Sequence, residues 1–411
     1  MKYLTTNSIV LVFCMFANCN QIDVFQDVEA TDRISFRDAD YIARDVPSLY
    51  NYVDSADDGD IIWLNENVEF DLSKTPTLNI IKQIILASSR GIKDSEGALL
   101  FSNNEDLNSC PKIQVNADNV RITGIRLIGP DSEVGDSFYV PQVVIGVACL
   151  SYDNFHIDHC EISAWSYAGV SINGSTNSKI SNNYIHHNRR IGLGYGIQLY
   201  GNSDALITYN TFDNNKHDIA GTGLNGQSYE AAYNTVLNQG NSHSFDMHGE
   251  WESDRVPGSE YAGNTIYIHH NTFCNGTRYA SVKVRGIPFN YALIEHNSFP
   301  HSSENLAVIQ QYFFGNFTVR NNTFDKVASM IKQDTIFFNT QIEANIFNDS
   351  VNRTNGYPRQ NTDKYQESKY NSVKNAYYHS INKVSEKGLS SSDSLIRCLC
   401  NWPLIGLELI E

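Results

Sequence analysis

The sequence has no Cys-x-x-Cys pair, no surplus of basic residues and, after its first twenty positions, no long apolar run. Each absence closes a class of reading. The cysteines beyond residue 20 (Cys110, Cys149, Cys160, Cys274, Cys398 and Cys400) lack metal-binding spacing and are too scattered for a disulfide framework. Lys and Arg number 30 against 46 Asp and Glu, a formal net charge of −16. Nucleic acid, whose phosphates need basic neutralisation, is therefore excluded as a partner. An anionic substrate is not, because a local basic patch or a bound cation can reverse the field within one cleft. No transmembrane span is expected after the leader. The leader itself, residues 1–20, has Lys2 ahead of an apolar run from Ile9 to Ala17. That run is too short to cross a bilayer and suits a secretory signal, so a secreted, periplasmic or outer-surface location is expected, with Cys19 open to lipid attachment.

What the chain does have is a repeat. KISNNYI, LITYNTF, EAAYNTV, YIHHNTF, LIEHNSF, TVRNNTF and QIEANIF carry central asparagines at 183, 210, 234, 271, 297, 322 and 345. HIDHCEI and RITGIRL put Cys160 and Ile125 in the same slot. The position three before each marker and the position two after it are apolar throughout, β-branched or aromatic in most copies, which favours short strands. Successive markers are 35, 23, 27, 24, 37, 26, 25 and 23 residues apart. A unit near 25 is too short for a strand and a full helix, and the leucine-rich pattern is missing. The spacing predicts an all-β, single-stranded parallel β-helix, one repeat per coil, with the asparagines stacked as an amide ladder. Residues 42–56 are expected as an N-terminal capping helix, 57–350 as the β-helix and 351–411 as an irregular tail packed on the last coils.

A second strand precedes each asparagine turn. Aligned on a terminal glycine it reads VSING, IQLYG, HDIAG, FDMHG and VKVRG. First and third positions point inward and second and fourth outward. The outward set then brings Asp218, Asp246 and Lys283 side by side, about 4.8 Å from coil to coil, and His248 beside Arg285; His217 is the misfit of the inward set. Gln198, Tyr200 and Gln310 extend the same surface, and His243 lies just ahead of it. Two carboxylates, an ammonium, an imidazole and a guanidinium in one patch can move protons and bind anions. Two long spacings hold insertions at 129–142 and 249–263; Glu250, Trp251 and Tyr261 in the latter are candidates for sugar contact.

So arranged, the chain resembles the right-handed parallel β-helix group that includes polysaccharide lyases and pectin hydrolases. NFHIDHCEIS (154–163) and VRGIPFNYALIEHN (284–297) are similar to lyase segments, while KHDIAG, HSFDMHG and VKVRG resemble the hydrolase assortment of aspartates, histidine and basic pair. The resemblance implies a right-handed coil and a partner that is a polysaccharide or oligosaccharide, and Arg285 is then the candidate base. The residues themselves allow β-elimination of an acidic, uronate-containing glycan. Lys283, His248 or Arg285 would take the proton, Tyr200 would protonate the leaving oxygen, and Asp218 with Asp246 would orient the site or hold a cation such as Ca²⁺. They also allow hydrolysis by Asp218 and Asp246 as paired carboxylates, or glycan binding without chemistry.

Overall fold

In the computed structural model, the structure describes residues 33–348 except 104–109, 132–142, 191, 250–260, 275–278, 300–306, 312–315, 326–328 and 334–339. The leader with Cys19, the tail 351–411, and Glu250 and Trp251 lie outside the described residues.

Each coil contributes three short strands, and stacking turns them into three parallel sheets. Sheet A runs through 12 strands from Tyr41–Ala43 to Thr340–Glu343. Sheet B has 11, from Glu69–Asp71 to Ile346–Asn348, and sheet C has 10, from Leu78–Ile80 to Ser329–Gln333. The apolar repeat positions form the ladders: Ile157 pairs with Ile122 and Ile180 in sheet A, and Ile162 with Leu127 and Ile185 in sheet B. These side chains, with the inward residues of sheet C, fill one continuous core along the solenoid axis. Towards the C-terminal end Phe273, Phe299 and Phe324 stack ring on ring at 4.9 and 5.1 Å.

The marker asparagines occupy the tight corner between sheets A and B. In the ladder from Asn210 to Asn345 each side-chain oxygen accepts from the backbone N–H and the side-chain amide of the preceding coil; Asn210 Oδ1, for example, takes Asn183 N at 3.0 Å and Asn183 Nδ2 at 2.9 Å. The same amide donates to a carbonyl of the coil before, Asn210 Nδ2 to Ile180 O at 2.8 Å. The residue ahead of each marker is left-handed, including His159, Tyr209, Tyr233, His270 and His296 at φ 55–57°. Such strain is tolerated because the ladder fixes the corner on both sides. Cys160 starts the column: its N–H is taken by Asn183 Oδ1 at 2.9 Å, and its thiol faces the Ile122 carbonyl at 3.8 Å where an amide would otherwise donate.

The capping helix begins later than expected, spanning Val46–Ser55. Asp45 caps it by accepting from Ser48 N, Ser48 Oγ accepts from Asp45 N in return, and Pro47 lies in the first turn. The chain before it cannot join the helix because Tyr41–Ala43 already pairs with Ile62–Leu64. The helix buries Leu49 and Val53 against the first coil, shielding the end of the core. Cys149 and Cys160 are free thiols.

Candidate functional site

The site stands on the outer wall of sheet C. Its register settles which residues are neighbours. Ser171 pairs with Gln198 and Gln198 with Ala220; Ala220 pairs with Asp246, Asp246 with Lys283, and Lys283 with Gln310. Lys283 and Gln310 are thus where the strand pattern puts them, but Asp218 is not. Ala220 occupies the place expected for it, two residues along.

The shift has a local cause. Gly174 and Gly201 end their strands in left-handed turns, at φ 65° and 64°. Gly221 does not: it lies within the strand His217–Gly221 and pairs with Met247. A Cβ there would meet Met247 Sδ at 2.5 Å, so this glycine serves close packing. Alignment on it as a terminal residue displaces the whole strand by two.

Asp218 therefore turns to the corner between sheets B and C, where it is only 2% exposed. There it closes a second, shorter amide column. Trp165 N–H donates to Asn188 Oδ1 at 2.9 Å, Asn188 Nδ2 to Asn215 Oδ1 at 2.8 Å, and Asn215 Nδ2 to Asp218 Oδ1 at 2.9 Å. Burial pushes the Asp218 carboxyl up to about 7, against the lowering effect of the Asn215 amide. The expected pair of adjacent carboxylates is absent among the described residues, and with it the Asp218–Asp246 cation site.

His217, expected inward, faces the cluster instead. Its ring stacks on Tyr195 at 5.5 Å and 18°. Its Nδ1 donates to the His243 carbonyl at 2.7 Å and lies 3.7 Å from Asp246 Oδ2. Asp246 is fully buried and is the hub. Arg285 grips it with Nε to Oδ1 at 3.0 Å and a terminal nitrogen to Oδ2 at 2.5 Å, and His248 Nε2 is 3.2 Å from Oδ2. Burial alone would raise the Asp246 carboxyl; Arg285 and His248 outweigh it and hold the group well below the usual carboxylate range.

Further cations surround this hub. Lys283 is its neighbour in register. Lys216 is brought down to about 8, first by burial and then by Arg285 nearby. Burial also lowers Arg190 and pushes the Tyr195 phenol up, with Arg285, Asp246 and Arg190 all within electrostatic reach of that phenol. His217 is brought down to about 3 by burial, so its imidazole is neutral at neutral pH. His243 is depressed by burial and then by Lys283, and its Nδ1 has no hydrogen-bond partner. Tyr195, Lys216 and Arg190 escaped the strand alignment because they come from a strand start and from corners between sheets, while His217 stood in it only as the misfit of the inward set.

The other candidates take different places. Gln198 is 3% exposed and holds Ser171 Oγ at 2.7 Å and the Tyr167 hydroxyl at 3.1 Å, so it belongs to the wall beside the cluster. Tyr200 ends the same strand, half-buried. Tyr261 is no sugar platform: it is 5% exposed, bridges to Ile287 and sets its ring edge-on to Phe289 at 5.8 Å.

The donor atoms of His217, Asp246 and His248 lie within 4.8 Å of one another, a set capable of coordinating a cation. Two imidazoles and one carboxylate suit a zinc-like ion better than Ca²⁺, which takes six to eight oxygens. As it stands, Arg285 occupies both oxygens of Asp246.

Comparison with known proteins bears on the fold. Residues 113–286 match the family described as "Right handed beta helix region", and the solenoid is accordingly a right-handed parallel β-helix. No curated protein matches the sequence. Among solved structures, DFA-IIIase from Arthrobacter chlorophenolicus A6 in complex with DFA-III is 13% identical, with 79% of this chain and 83% of that one covered and a TM-score of 0.51. ORF18 of Geobacillus virus E2 is 12% identical over 76% of this chain at a TM-score of 0.47, and this chain spans only 60% of its length. An alginate lyase from Paenibacillus sp. str. FPU-7 is 16% identical over 77% of this chain and 97% of its own, at a TM-score of 0.38. Of these three, the DFA-IIIase likeness speaks to the fold alone.

Proposed function

We propose that the Asp246 cluster binds the carboxylate of a uronate-containing glycan and cleaves the chain by β-elimination. The observation that carries this reading is charge. In a protein of net charge −16, one carboxylate already matched by Arg285 has Lys283 beside it in register and Lys216 within electrostatic reach. A local excess of cations around a buried hub is a receptor for an anion.

The chain's own residues supply the steps. Lys216 and Lys283 neutralise the sugar carboxylate, which acidifies the neighbouring C5–H bond. His248, oriented by Asp246, takes the C5 proton. The C5–H electrons form the C4–C5 double bond, the C4–O bond breaks, and the departing oxygen takes a proton from Tyr195, whose raised pKa keeps that proton in place at neutral pH. His217, neutral and stacked on Tyr195, holds the phenol in position. Arg285, expected as a base, is committed to Asp246 as a charged guanidinium, and Tyr195 takes the donor role expected of Tyr200. Hydrolysis by two carboxylates loses its second member, because Asp218 is turned to the corner.

The test is incubation of the purified protein with pectin, alginate, glycosaminoglycans and neutral glycans, with and without EDTA. Unsaturated-uronate absorbance that is lost in D246N and H248Q supports elimination. New reducing ends without that absorbance make the protein a hydrolase, and no cleavage of any acidic glycan removes the proposal.

A further inference from the structure

The string Tyr-Ile-His-His-Asn occurs twice, at 184–188 and 267–271, and its two copies lie at different corners of the coil. The first ends the sheet B strand Tyr184–His186 and leads into Asn188 of the short amide column. The second ends the sheet A strand Thr265–His269 and leads into the marker Asn271. Both build the same arrangement. The tyrosine and the first histidine stand two apart on one strand face, so their rings stack, Tyr184 on His186 and Tyr267 on His269, each at 4.1 Å. The second histidine is left-handed, φ 54° at His187 and 55° at His270, which turns its ring edge-on to the first, at 87° and 86°. Nδ1 then faces Nδ1 at 2.8 Å in each pair.

Carboxylates on the preceding coils fix the tautomers. His186 Nε2 is 3.2 Å from Glu161 Oε1, and His269 Nε2 is 3.0 Å from Glu230 Oε1. A carboxylate accepts, so in the neutral imidazole this Nε2 donates and the Nδ1 keeps its lone pair. The facing Nδ1 of His187 or His270 donates the one proton between them. A carboxylate behind one ring nitrogen, with a lone pair at the other, is the arrangement that orients a histidine towards a metal. The His270 ring is exposed and yet held, stacked on Tyr233 at 5.0 Å and on His296 at 4.9 Å.

We infer that each histidine pair chelates a divalent ion of tetragonal preference, Cu²⁺ first among them, through its two Nδ1 atoms. Nitrogens 2.8 Å apart, with metal bonds of about 2.0 Å, subtend about 90° at the ion, the cis angle of a tetragonal site. Tetrahedral zinc would set them about 3.3 Å apart. The ion takes the place of the bridging proton, which moves to Nε2 of His187 or His270, so a neutral pair binds without releasing a proton. Water fills the remaining positions. These sites are independent of the elimination reading, since none of the four imidazoles belongs to the Asp246 cluster.

The experiment titrates the metal-free full chain with Cu²⁺ near pH 8, beside H187Q, H270Q and H187Q/H270Q, each shown folded by its melting temperature. Copper taken up by the Asp246 cluster is common to all four proteins and cancels. Each single variant is expected to lose one equivalent and the double variant two, and the lost electron paramagnetic resonance signal should show coupling to two imidazole nitrogens. With H187Q as parent, E230A is expected to weaken the surviving site about ten- to a hundredfold; it leaves every imidazole in place, and so reads that site even if H270Q does not fold. Equal uptake by wild type and the double variant, coupling to a single nitrogen, or an affinity unchanged by E230A overturns the proposal.

Discussion

Asp218→Asn separates a structural carboxyl from a catalytic one. The folded Asp218 keeps its proton up to about 7, against an ordinary value of 3.8. Between those values the folded state binds a proton that the unfolded chain has released. Wild-type stability therefore falls as pH rises through that window, and the loss is complete above it. At 1.36 kcal/mol per unit, a shift of about three units amounts to ~4 kcal/mol. The amide introduced by D218N does not titrate, has the same shape and still offers an oxygen to Asn215 Nδ2. The variant is thus expected to match wild type near pH 4 and to exceed it by up to ~4 kcal/mol at pH 8, with activity retained. Urea unfolding at a series of pH values, with turnover measured on the same samples, reads both quantities. A folded D218N without activity, or a wild type whose stability is flat across that range, refutes the assignment of Asp218 to the corner.

Three other outcomes follow from the same geometry. D246A and R285Q should each cost about 3–5 kcal/mol, since either leaves a buried charge without its main partner, and the double variant should cost clearly less than their sum; additivity in a double-mutant cycle by chemical denaturation would contradict the bidentate pair. N210A removes acceptors for Asn183 N and Nδ2 and a donor to Ile180 O, all in the buried ladder, so a loss of about 2–4 kcal/mol is expected, and a change below ~0.5 kcal/mol in thermal or urea unfolding would show that the column does not hold the coils. His217 stays neutral down to about 3 while the unfolded chain takes a proton below about 6.5, so wild-type stability should drop as pH falls through that window; H217Q should flatten the slope, and an unchanged slope counts against a buried, neutral His217.

The solenoid was legible because one asparagine recurs at one corner, with apolar residues fixed three before and two after it. Those offsets are the inward positions of sheets A and B, and burial there leaves no freedom in register. Asp246 and Lys283 were placed for the same reason, their strands having apolar residues at the first and third positions, and Gln310 follows in register although Gln311 takes its third position. HDIAG failed on chemistry that a glycine conceals: Gly221 is small to clear Met247, whereas Gly174 and Gly201 are glycines to turn. The second amide column had a readable signal, since Asn188 and Asn215 stand five after the markers Asn183 and Asn210. Lys216 and Arg190 had none. They reach the cluster from corners between sheets B and C, where neither period two nor the repeat fixes a side-chain direction.

The central claim is that the cationic ring around Asp246 exists to engage a sugar carboxylate. It is tested most directly by turnover of one uronate oligosaccharide against the same compound with its carboxyl groups reduced to alcohols. Cleavage of the native compound alone, abolished in D246N, is the predicted result. Equal cleavage of the reduced compound would mean that Arg285, Lys283 and Lys216 play no part in recognition.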